Sequence, residues 1–164
     1  MKRILVAGIG NIFFGDDAFG CEVVRALAAR SLPRGVVVRD FGIRGLDLSY
    51  ALGDGYDAAI LVDAMPRGGA PGTLYVLEPE THGEAARPFA VEAHSLTPDK
   101  VLGQVLALGG TLPSLRIVGC EPAELEPDAE LSQAVAAAVS QAADLITGLL
   151  EELQGSRPGA VTHA

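Results

Sequence analysis

Apolar runs alternate with helical patterns along the chain. Residues 3–9 (RILVAGI) form a continuous apolar run, as expected for a strand covered on both faces. Residues 18–30 follow, with Val23, Val24, Leu27 and Ala28 at helical spacing. A second strand is predicted at 36–41, a short helix at 46–52 closed by Gly53, and a third buried strand at 58–63. Alternation of this kind predicts a parallel sheet with crossover helices.

The pattern breaks after Asp63. Only residues 64–72, rich in Gly and Pro, precede the next strand signal at 73–77. A parallel crossover needs about a dozen residues or more, so this strand is expected to return antiparallel to a neighbour. A loop with Pro79, Gly83 and Pro88 comes next. Thr97 followed by Pro98 reads as an N-cap with proline at the first helical position, and that helix should run to about Leu108 and stop at Gly109 and Gly110. A last strand at 114–119 and a long Ala-rich helix at 131–153 complete the pattern. The expected fold class is α/β: a three-layer α/β/α arrangement, a mostly parallel five-stranded sheet, the strand at 73–77 antiparallel, and helices on both faces. One domain is expected over residues 1–153, with 154–164 as a flexible C-terminal tail.

Composition narrows the partners. The 164 residues match one ordinary domain, and 49 % apolar against 20 % charged residues suffices for a proper core. A net charge of -9, from 12 basic and 21 acidic side chains, argues against nucleic acid and anionic membrane as partners. Aromatics are scarce and Trp is absent from the sequence, which removes a stacking platform for single strands. No stretch is read as approaching the roughly 20 apolar residues that cross a bilayer. The start MKRILVAGIGN has too short an apolar run for a signal peptide and lacks a small-residue cleavage pattern. Cys21 and Cys120 have neither metal-type nor disulfide spacing, so both are expected as reduced, buried thiols in a cytoplasmic protein.

In open α/β sheets the ligand crevice lies beyond the carboxyl ends of the strands. Several features fall there. The segment GIGNIFFGDD at 8–17 invites a dinucleotide reading, but the fingerprint needs a third glycine where Phe13 stands. Its acidic pair also lies where a pyrophosphate would need helix-end amides free of anions. Asp40 occupies the place of a ribose-binding acid, so a nucleotide-binding Rossmann-like enzyme is one alternative. Asp16 reads as a natural N-cap, which leaves Asp17 unexplained, because two adjacent acids cannot both cap one helix. Asp63 ends the third apolar run, and His94 precedes Thr97 in a loop. In DFGIRG at 40–45, Gly42 and Gly45 permit unusual backbone conformations and close approach of a guest chain, which makes Asp40 and Gly42 candidates for substrate contact.

If the first and third strands are neighbours, Asp17 and Asp63 face one crevice. Two carboxylates ~5 Å apart repel by about 3 kcal/mol at an effective dielectric near 20. A shared proton or a cation would relieve that, and His94 would add a nitrogen. Two oxygens and one nitrogen with open positions suit a first-row divalent metal, which lowers the pKa of bound water and polarises a carbonyl. The residues therefore point to a metal-assisted hydrolase. No serine or cysteine has a convincing base partner. Cys21, four residues after Asp17, is a disfavoured thiolate ligand. The non-enzyme alternative is a receiver-like Mg-binding regulatory module, which shares the acidic pair and the strand-three acid. Such modules need a lysine ending the last strand; here the lysines are Lys2 and Lys100, and positions 119 and 120 are Gly and Cys.

At these residues the sequence resembles the [NiFe]-hydrogenase maturation proteases. ILVAGIGNI at 4–12 and GDDAFG at 15–20 look like the family's first-strand motif, and DFG at 40–42 like its glycine-containing motif after strand two. Val62, Asp63 and Ala64 match its strand-three acid, Pro71, Gly72 and Thr73 its following turn, and His94 with Ser95 its metal-ligand histidine. VGCEP at 118–122 resembles its final-strand segment, so the likeness runs from about Met1 to Leu153. The resemblance implies that Asp17, Asp63 and His94 form a catalytic, metal-contacting triad. It implies an endopeptidase that removes the C-terminal extension of a nickel-loaded hydrogenase large-subunit precursor. The nickel would arrive inside the substrate and serve in recognition, with no nucleotide involved.

Overall fold

The computed structural model describes residues 1–79 and 98–155, the side chains of 98–100 excepted. Among the described residues, five strands and four α-helices follow in the order β1 (Ile4–Ile9), a 3-10 helix (Gly15–Ala18), α1 (Phe19–Ala28), β2 (Val36–Gly42), α2 (Gly45–Leu52), β3 (Ala58–Ala64), β4 (Leu74–Leu77), α3 (Pro98–Ala107), β5 (Ser114–Cys120) and α4 (Gln133–Gly155). The sheet order is β2-β1-β3-β5-β4, parallel throughout except for β4, which pairs antiparallel with β5. The short connection after β3 has this consequence, because it is too short for a helical crossover.

Strand periodicity sorts the core into two layers. Ile4, Val6, Ala58, Ile60, Val62 and Val118 face α1 and α4. Leu5, Ala7, Ile9, Ala59, Leu61, Leu115 and Ile117 face α2 and α3. β1 and β3 are therefore buried on both sides, which is why they read as unbroken apolar runs. Helix α1 presents Val23, Val24 and Leu27 inward. Gly20, near its start, lets α1 approach the sheet: a Cβ there would collide with the carbonyl oxygens of Val62 and Ile9.

The helix predicted over 18–30 appears as α1 over Phe19–Ala28, preceded by a 3-10 turn that carries Asp16 and Asp17. Two expectations need amending. Helix α4 is long and apolar enough to cross a membrane by length and composition, against the reading that no stretch is. In this fold Val135, Ala138, Ala142, Ala143, Ile146 and Leu150 of α4 lie buried in the core layer shared with α1, so its apolar stripe is spent on packing. The helix also runs to Gly155, into the first residues of the expected tail; residues 156–164 lie outside the described residues.

Candidate active site

The register places Gly8 opposite Val62, so Asp63 stands one step beyond the last β1–β3 pair, at the carboxyl end of β3. Chain reversal after β1 needs Gly10, whose φ of 139° is open to glycine and whose Cβ would run into the Asp17 carbonyl oxygen. That close approach brings the 3-10 turn back over the sheet end. Asp17 Oδ2 accepts the Asn11 N–H at 2.8 Å. Burial pushes the Asp17 carboxyl up, against the pull of that N–H. Asp63 is pushed well up, first by burial and then by the neighbouring Asp17 charge, with the Ala64 N–H opposing. The structure thus brings Asp17 and Asp63 to one crevice between adjacent strands. His94, the third member of the expected triad, lies outside the described residues. Among the described residues no group of three or more His, Cys, Asp or Glu side chains is placed to hold a metal.

Beside this crevice runs an open groove of about 300 Å³ between the ends of β1 and β2, lined by Gly10, Asn11, Phe13, Asp40, Gly42 and Arg44 among others. Ile12, Phe13 and Ile43 are exposed along it. Asp40 and Gly42, the candidate contact residues, both belong to its wall. Gly42 has a φ of 55°, whereas Gly45 opens α2 and has no positive φ. Arg44, at the groove wall, donates to the carbonyls of Phe41 and Asp40 and pairs with Asp47.

A profile of the family described as hydrogenase maturation protease matches residues 21–149. The chain belongs to the hydrogenase maturation proteases. The Hydrogenase 2 maturation protease of Escherichia coli is 35 % identical over 156 residues, covering 92 % of both chains. The solved E. coli hydrogenase maturating endopeptidase HybD superposes with a TM-score of 0.75 at 32 % identity, covering 92 % of this chain and 93 % of that one. The hydrogenase 2 maturation peptidase of a Thaumarchaeota archaeon superposes at 0.70 with 36 % identity, covering 94 % and 100 %. Membership in this protease family takes the place of the receiver-like and nucleotide-binding alternatives.

Within this maturation protease the structure also assigns carboxylates that sequence reasoning misread or passed over. Asp16 is no N-cap: the 3-10 turn has no side-chain cap. Its fully buried carboxylate accepts the N–H groups of Ala123, Glu124 and Ser132 and the Ser132 hydroxyl. Burial pushes Asp16 up, but these donors outweigh it and hold the carboxyl below its usual range. Ser132 Oγ in turn accepts the Val135 N–H, capping α4. Glu121, at the end of β5, accepts the Tyr75 hydroxyl and the N–H groups of Arg67 and Gly69, tying down the β3–β4 loop. The sequence signal for Asp16 was its place as the first acid of an adjacent pair; its partners lie over a hundred positions away. Cys21 meets neither Asp17 nor a metal set: its thiol donates to Asp40 Oδ1 at 3.0 Å.

Proposed function

We propose that this maturation protease removes the C-terminal extension of a nickel-loaded [NiFe]-hydrogenase large-subunit precursor. The observation that carries this reading is the convergence of Asp17 and Asp63 at the carboxyl ends of neighbouring strands, in a chain of this family. Asp17 and Asp63 supply two oxygen ligands and His94 a nitrogen. An incomplete set of three leaves positions for ligands that a substrate already provides, so nickel enters as part of the substrate and not as a resident cofactor. The fit is electrostatic as well. Two neighbouring carboxylates with raised proton affinity are relieved by a divalent cation, and nothing cationic among the described residues reaches them.

The same features suit peptide hydrolysis. Water adds to the scissile carbonyl carbon, the C–N bond breaks, and the leaving amine takes up a proton. A carboxylate beside the scissile bond relays the proton from the attacking water to the amine. The groove walled by Asp40 and Gly42 receives the polypeptide on the approach to the scissile bond, its apolar rim matching an extended segment. The setting is the cytoplasm, in keeping with free, buried Cys21 and Cys120.

The test mixes the purified protein with large-subunit precursor, with and without nickel, and follows the precursor mass. C-terminal shortening only with nickel is expected. Equal cleavage of both forms defeats the nickel requirement. His94→Ala should abolish processing with an unchanged circular dichroism spectrum, and normal cleavage by that variant removes His94 from the site.

A further inference from the structure

Asp40 is held unusually for a carboxylate at a groove wall. Its Oδ1 accepts two donors, the Gly42 N–H at 2.8 Å and the Cys21 thiol at 3.0 Å. Both fall on the same oxygen, and Oδ2 receives no hydrogen bond among the described residues. The thiol comes from α1, a different element, and is itself buried, with the Gly10 carbonyl oxygen 3.7 Å away. Burial first, then the hydrogen bond and charge of Asp40, push the Cys21 thiol up to about 12, so it keeps its proton throughout the physiological range. A thiol is ordinarily a weak donor, but an ionised acceptor strengthens the bond. The Arg44 guanidinium bonds the carbonyl oxygens of Phe41 and Asp40 and pairs with Asp47, and among the described residues it makes no hydrogen bond to the Asp40 carboxylate.

We propose that Cys21 is a positioning residue for Asp40, pinning Oδ1 so that Oδ2 is presented to the groove as an acceptor for an N–H group of the substrate polypeptide. The inference rests on the reading that this groove takes the substrate chain. It assigns Cys21 no nucleophilic or metal-binding part. A pinned carboxylate loses less rotamer freedom on meeting substrate, and the gain appears in binding and not in bond breaking.

Steady-state cleavage of the nickel-loaded precursor tests this. Cys21→Val removes the donor at similar volume, and Cys21→Ala does so without added bulk should the valine variant misfold. Either should raise KM about fivefold with kcat within about twofold. Cys21→Ser keeps a donor and should restore the KM. In an Asp40→Asn background, Cys21→Val should add no further rise, because the carboxylate it orients is gone. A rise of equal size in that background, or Cys21→Ser behaving as Cys21→Val, overturns the positioning role. Asp40→Asn with unchanged KM overturns instead the reading that Asp40 meets substrate.

Discussion

Two buried carboxylates, Asp16 and Asp63, occupy the same end of the sheet and are treated in opposite ways. Asp16, wholly buried, is met by four donors from the segment joining β5 to α4. Asp63, 6 % exposed, is met by the Ala64 N–H and by the charge of Asp17. One carboxyl is held below its usual range and the other driven well above it. Burial alone does not set the proton affinity of these two acids; the supply of donors separates them. A carboxylate saturated by backbone amides has nothing left for a ligand, whereas one kept short of partners is stabilised when a cation or a proton arrives.

The sharpest way to break this contrast is substitution at Asp63. Asp63→Asn should lower kcat/KM on the nickel-loaded precursor by about a thousandfold or more while leaving the thermal midpoint unchanged or raised, since the amide avoids burying a charge. A large loss of stability in that variant would place Asp63 with the structural acids. Asp16→Ala should do the reverse in stability, orphaning three backbone amides and costing about 3 kcal/mol in urea unfolding. If Asp16→Ala melts like the parent, the clamp does not hold the β5–α4 segment.

The pH dependence of unfolding separates the two acids by sign. Asp63 has a raised folded pKa, so its contribution is fully present below the unfolded value near 3.8 and is lost as pH rises through the folded value. Asp16 has a lowered folded pKa, so its contribution is present above 3.8 and is lost as pH falls through the folded value. Urea midpoints measured across pH should therefore lose their decline on the rising side in Asp63→Asn and flatten on the acid side in Asp16→Asn. Identical profiles for the two variants would erase the distinction. The smallest effect is expected at the groove wall. Gly42→Ala meets no neighbour closer than 3.7 Å but must hold a φ of 55°, which costs about 1 kcal/mol in a thermal melt.

The layered fold was readable in advance where burial on both faces leaves a signal that needs no partner to interpret. β1 is apolar at every step and β3 is apolar up to Asp63, and the connection from Ala64 to Leu74 is too short to cross over, which dictates the antiparallel β4. Asp63 was readable as a candidate because it is an acid ending an apolar run, and Asp17 because capping accounts for only one acid of its pair. The 3-10 turn ahead of α1 was not readable, because the helical spacing begins at residue 18 and the turn comes from the return of the chain over Gly10. Nor was the apolar length of α4 a guide to its surroundings, which its packing with α1 decides.

By itself, the order of residues determined the alternation of elements, the parallel core and the acids that end its strands, since each depends on spacing within a few positions. Tertiary structure alone decided which acid was saturated. Asp16 finds its donors at 123, 124 and 132, and Asp40 receives a thiol from another element. Hydrogen bonds form between groups that the fold brings within about 3 Å, whatever their separation along the chain. The division of neighbouring carboxylates into a saturated clamp and a pair short of donors is therefore a property of the folded molecule.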